Sequence, residues 1–290
     1  MNRLSFLCQA AATMLVVGAN AFGRQTIHAQ EATPAAALAN PSEPDAVLVV
    51  DDQGFTPPTG SVAGRTLLTV ENRGTLPLHF FAVRIPEAIS DAQLETDMSS
   101  AEGEPAWFDL TKLPSLGNPD WPAPGGQAQG VIDLTAGRWL LVDPNGGREP
   151  AVWVVNEGEA PAAGGEPAAD VQVELREMAF TGLDHPIPSG PRTWKITNHG
   201  ALEHELAVLP VAEGTTEADV LQAITDLMEQ GDPSQFTPVA GQGIAAAGVT
   251  SWQQFDLGAG SYAAVCMSPM PGEGYRPHAM EGMVKVFTVR

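Results

Sequence analysis

TWKITNHGALEHELAV, residues 193–208, packs two short strands around an Asn-His-Gly turn. The first run is rich in Trp, Ile and Thr, and the second, opening at His204, is an apolar HELAV. Between them stand residues that favour turns by accepting left-handed backbone or by bonding their own chain. The same pattern occurs earlier as LLTVENRGTLPLHFFAV, residues 67–83, with one residue inserted. Further on, GVIDLTAGRWLLVDPN (130–145) is answered by WQQFDLGAGSYAAVCMSP (252–269). The repeating unit is a whole domain, far longer than a solenoid repeat.

Working outward, the second half offers the strand candidates VQVELREMAF, RTWKITN, HELAVLPV, SWQQFDL, SYAAVCM and MVKVFTV. All are bounded by Gly, Pro or Asn. One helix interrupts them, TEADVLQAITDLMEQG at 216–231. Val220, Leu221, Ile224, Leu227 and Met228 share one face, Thr216 can cap the start and Gly231 can end it. Six or seven strands and one helix per half predict an all-β chain of two tandem Greek-key β-sandwiches, each with a short helical insertion. The expected organisation is a leader at 1–21, a flexible Ala/Pro-rich tether at 22–45, a first domain at 46–156, a linker at 157–170 and a second domain at 171–290.

Composition narrows the function. The 290 residues carry 35 acidic against 14 basic side chains, a net charge of −21, and three of the basic residues are lysines. Such a surface repels phosphate backbones, which excludes nucleic acid and favours a basic protein partner or a salty medium. Arg3 followed by LSFLCQAAATMLVVGANAF reads as an export signal with ANA at 19–21 for cleavage, and no later segment is long and apolar enough to span a bilayer. Of two cysteines, Cys8 lies in that leader, so the exported chain keeps Cys266 alone. An unpaired thiol in an oxidising compartment is either a buried structural cysteine or a metal thiolate.

Residues 266–289, CMSPMPGEGYRPHAMEGMVKVFTV, gather that cysteine, His278 and four methionines ahead of the last strand. With NHGALEHELAV upstream, this resembles the cupredoxin, or blue copper, family. There a histidine after an Asn/Gly turn is followed later by a strand-end cysteine, a second histidine, and a methionine before the final strand. The resemblance implies a metal set of His204, Cys266, His278 and Met283, with Met280 the competitor for the axial position. Two imidazoles, a thiolate and a distant thioether form a type 1 copper electron-transfer site.

Two departures stand out. Eleven residues, MSPMPGEGYRP, separate Cys266 from His278, and Glu205 follows the first histidine where the family commonly has an Asn tying the ligand loops together. In the first half His79 aligns with His204, but Asp143 takes the cysteine position and PNGGREPAVWVV supplies neither histidine nor methionine, so that half is expected to bind no copper. His185 and His199 sit in turns and are not expected to bind metal, and Met267 and Met270 are expected to pack or lie exposed. The resulting expectation is an exported single-electron carrier with one copper and a basic redox partner. A copper carrier and a metal-free binding module stay open as alternatives. An enzyme is not expected, since no second histidine-rich cluster, nucleophile elbow or phosphate loop is present.

Overall fold

The computed structural model describes residues 44–99, 105–145, 147–158, 166–230, 236–272 and 276–290. The expected leader, nearly all of the first tether, the middle of the second linker and the helix-ending Gly231 lie outside them. Among the described residues no helix is long and apolar enough to cross a membrane.

The first half comprises β1 (Ala46–Val50), β2 (Phe55–Thr56), β3 (Gly64–Asn72), β4 (Phe81–Arg84), α1 (Asp91–Ser99), β5 (Pro119–Asp120), β6 (Gln127–Leu134), β7 (Gly137–Val142) and β8 (Ala151–Val155). The second comprises β9 (Val171–Arg176), β10 (Ala179–Thr181), β11 (Gly190–Asn198), β12 (His204–Val211), α2 (Glu217–Gln230), β13 (Ala240–Ala245), β14 (Thr250–Leu257), β15 (Gly260–Val265) and β16 (Val284–Val289). The two-sandwich, all-β architecture read from the sequence is the one observed. VQVELREMAF, read as one strand, is two, broken where Met178 takes a positive φ of 56°.

Strand order repeats. One sheet runs β2-β1-β3-β6 in the first half and β10-β9-β11-β14 in the second, and the facing sheets run β8-β7-β4 and β16-β15-β12-β13. Alternation drives this: Val171, Val173 and Leu175 of β9 point inward while Gln172 and Arg176 face solvent. Leu175, Trp194, Ile196, Leu206 and Phe287 form the second core, and Leu48, Val70, Phe80, Ile132 and Trp153 the first. Each such side chain contributes about 1.5–3 kcal/mol on full burial. α2 begins with a reciprocal cap, Asp219 N–H to Thr216 Oγ1 at 3.2 Å and Thr216 N–H to Asp219 Oδ2 at 2.8 Å. Val220 and Ile224 then bury its inner face against Val265, Ala279 and Val284.

The halves are sewn together. β6 and β14 pair antiparallel, merging their sheets into one of eight strands, and β5 adds to β13. Gly130 and Gln253 lie opposite each other, and each is the fourth residue of its strand, so the pairing has a pseudo-twofold centre there. Gln253 donates Nε2–H to the Gly117 carbonyl at 3.0 Å and its Oε1 lies over Gly130. A Cβ at Gly130 would sit 2.3 Å from that Oε1 and 2.9 Å from the Trp252 carbonyl. Gly130→Ala is therefore expected to destabilise the protein by about 1–3 kcal/mol, read as a lower urea midpoint. Gly258→Ala, where an added methyl meets nothing within 4 Å, serves as control; equal midpoints would contradict the steric account.

Candidate metal centre

Three segments converge at one end of the second sandwich. His204 opens β12, Cys266 follows β15, and His278 opens a 3₁₀ turn, His278–Glu281. The register of β12 against β13 shifts between His204 and Leu206, a bulge that lets His204, Glu205 and Leu206 all be buried in succession. The turn before β12 is braced by Asn198, whose Nδ2 donates to the carbonyls of Leu202 and Ala245, each at 2.8 Å, while its Oδ1 accepts Gly200 N–H at 2.9 Å. Asn72 makes the same three bonds in the first half, to Leu76, Pro122 and Gly74. Gly200 is needed for its closeness: a Cβ there would lie 2.8 Å from His204 Nε2.

The long insert is pinned at its base. His278 N–H donates to the Ser268 carbonyl at 2.9 Å, Met270 N–H donates to the Arg276 carbonyl at 2.8 Å, and Pro269 bridges Pro277. The eleven residues thus leave and return through a narrow neck, which removes most of the closure penalty of a loose loop of that length. Ala279 N–H bonds the Cys266 carbonyl at 2.8 Å, Met283 N–H the His278 carbonyl at 3.1 Å, and Cys266 N–H the Met283 carbonyl at 3.2 Å. Gly282, at φ 98°, turns the chain into β16.

His204 Nδ1 lies 3.0 Å from His278 Nδ1, Cys266 Sγ lies 3.5 Å from His278 Nδ1 and 3.9 Å from His204 Nδ1. All three side chains are buried, and among the described residues they form the one cluster of His, Cys, Asp or Glu with metal-holding geometry. Metal–ligand bonds of about 2.0–2.3 Å in a trigonal set place the donors roughly 3.5–3.7 Å apart, which the observed separations bracket. The donor set is one soft thiolate and two imidazoles, and it fits a type 1 copper site. Met283 is fully buried in the core cluster that contains Cys266, whereas Met280 and Met267 pack beneath α2 with Val265 and Ala279. His185 and His199 are exposed and stand outside the His204–Cys266–His278 cluster.

The three donor side chains are buried, and burial disfavours their charged forms. Burial, helped by His278, lowers His204 to about 4, and burial likewise lowers His278. Burial, with the nearby Glu205 carboxyl adding, pushes the Cys266 thiol up to about 12. Glu205 ties two ligand segments together: its backbone N–H donates to Cys266 Sγ at 3.4 Å and its Oε1 accepts Met267 N–H at 2.7 Å.

Sequence reasoning missed what lies behind Glu205. His79, from the first half, stands 3.9 Å from Glu205 Oε2 and is held by Asp120. The repeat alignment marked His79 but could not aim it. At the cysteine position of the first half, Asp143 is buried in an ion pair with Arg148 at 2.9 Å.

The chain is similar to several solved copper proteins. One is the dithionite-reduced auracyanin of the photosynthetic bacterium Roseiflexus castenholzii, with 19% identity, 43% of this chain and 99% of that one covered, and a TM-score of 0.31. Another is auracyanin A, a blue copper protein of Chloroflexus aurantiacus, at 18% identity over 41% and 98% with a TM-score of 0.27. The copper-containing nitrite reductase of Thermus scotoductus is similar at 14% identity over 85% of this chain and 56% of that one, with a TM-score of 0.24. No family model and no curated protein matches the chain. Likenesses of this size carry no argument about chemistry, which the donor atoms must supply.

An ordinary thiol near 9 in the unfolded chain releases its proton where the folded Cys266 still holds it. Folding stability from this group is therefore intact below pH 9 and lost as pH rises from 9 toward 12, by about 2 kcal/mol at pH 10.5. With a chelator present, the fall in urea midpoint between pH 8 and pH 10.5 should be larger in wild type than in Cys266→Ser; equal falls would contradict the buried neutral thiol.

Proposed function

We propose that the chain is a copper-binding, cupredoxin-like electron carrier, exported from the cytoplasm, with one type 1 copper held by His204, Cys266, His278 and Met283. The observation that carries this reading is the convergence of His204 Nδ1, His278 Nδ1 and Cys266 Sγ in a buried pocket. Copper bound there would supply reversible single-electron chemistry.

The protein's part is to hold these donors rigid. His204 is fixed by the bulge and the Asn198-braced turn, and Cys266 and Met283 exchange backbone bonds with the loop that carries His278. A donor set that cannot rearrange suits electron exchange, because neither oxidation state then has to reorganise the chain around it. Burial excludes water, and the Glu205 N–H donated to Sγ draws charge from the sulfur. Cys266 must lose its proton on metal uptake, so affinity falls as pH falls. The net charge of −21 would steer a basic redox partner. The copper-carrier alternative has less support: Met267 and Met280 pack, partly buried, against the apolar cluster under α2.

Titration of the purified protein with Cu(II) is expected to give one equivalent bound, an intense thiolate-to-copper visible band and a narrow copper hyperfine splitting by EPR. Cys266→Ser should bind without the band. Rapid surrender of copper to a chelator with no band would point to a carrier, and no uptake by wild type would leave a metal-free module.

A further inference from the structure

We propose that His79, a residue of the first sandwich, is a positioning residue for the metal centre of the second and acts on it through Glu205. The proposal rests on the copper reading above. His79 occupies the place in its own half that His204 occupies in the other, and its ring reaches Glu205 of the neighbouring half. Nδ1 lies 2.5 Å from Asp120 Oδ2, which leaves Nε2 as the atom facing Glu205 Oε2 at 3.9 Å. The ring is clamped in that pose, stacked on Trp121 at 4.1 Å with 9° between planes and met edge-on by Phe81 at 4.9 Å.

Asp120 is itself fixed. Its Oδ1 accepts the backbone N–H of Trp121 at 2.9 Å and of Phe80 at 3.3 Å, and its strand β5 is hydrogen-bonded to β13 of the second half. Burial works against a charge on His79, but Asp120 outweighs it and raises the imidazole above its ordinary value.

Trp121 gives an independent sign of constraint. It holds φ at +66°, a left-handed conformation that a bulky residue adopts only when its surroundings force it. Such strain, on the order of 1–3 kcal/mol, gathers where a side chain must be placed accurately. Here it lays the indole flat on His79 and brings its edge to Gly241, where any Cβ would lie 2.4 Å from the ring.

The far end of the chain of contacts is the metal pocket. Glu205 is 1% exposed, its Oε2 has no hydrogen-bond partner, and its other oxygen and its N–H reach Met267 and Cys266. A buried carboxyl with one unpartnered oxygen is placed by the polar group that faces it. His79 is that group among the described residues, and Asp120 is the other charged side chain close by. The geometry runs Asp120–His79–Glu205 and then forks to the two segments that carry His204 and Cys266. Partners one step removed from a metal ligand typically contribute 10–100-fold to metal affinity.

The test uses the full-length chain loaded with copper. His79→Gln is expected to weaken copper retention against a competing chelator by about 10–100-fold. The same variant should shift the visible band and the reduction potential. Asp120→Asn, nearly unchanged in volume, is expected to move the same quantities in the same direction by a smaller amount, and it serves if His79→Gln folds poorly. A lower melting temperature with unchanged band, potential and copper affinity would make His79 a core residue only and overturn the proposal. Wild-type protein that takes up no copper would instead overturn the copper reading, and this proposal with it.

Discussion

Everything at the metal pocket depends on the antiparallel pairing of β6 with β14. Two sandwiches joined by a flexible linker would present His79 to Glu205 only in passing. Backbone hydrogen bonds across Gly130 and Gln253 make the relation between the halves as fixed as that between neighbouring strands of one sheet. The buried polar atoms along this seam follow from the same pairing. Asn118, Gln242, Gln253 and Trp121 lie buried along it with polar atoms that find no partner.

The pseudo-twofold has a second effect. Because the same strand of each half lies at the seam, the first half's His79 reaches Glu205, the residue after His204. The first half is therefore more than ballast. It places His79 and Asp120 beside the buried Glu205.

How much of this could be read in the sequence follows from the range of the interactions. The strand-turn-strand units, the capped helix α2 and the gathering of Cys266 and His278 are local, and hydrophobic periodicity with turn chemistry reports them directly. β13 was not legible. AGQGIA is not among the strand candidates read from the sequence, and its Gly241 and Gly243 let Trp121 and Asn118 press against the strand. β5 is two residues long and gains its strand character only from β13. The aim of His79 was hidden for the same reason: its partners come from residues 120 and 205, and only the seam brings them together. The insert after Cys266 looked loose in the sequence because the contacts that pin its neck join residues six to ten apart with no periodic signal.

Arg148 and Asp143 show what became of the first half's own pocket. The guanidinium donates to Asp143 and to the carbonyls of Asp51 and Leu76, gathering three acceptors around a buried cation that the chain encodes. One pocket is thus filled by a cation that the chain itself supplies, while the other, on the copper reading proposed above, would take its cation from the medium. Any ion that binds only the folded form stabilises it by mass action, in proportion to the logarithm of its free concentration. On that reading the two halves would answer to different supplies: the first complete once translated, the second gaining stability with the metal content of its surroundings. With the sheets fused, a scarcity felt at one end would be carried by the whole molecule.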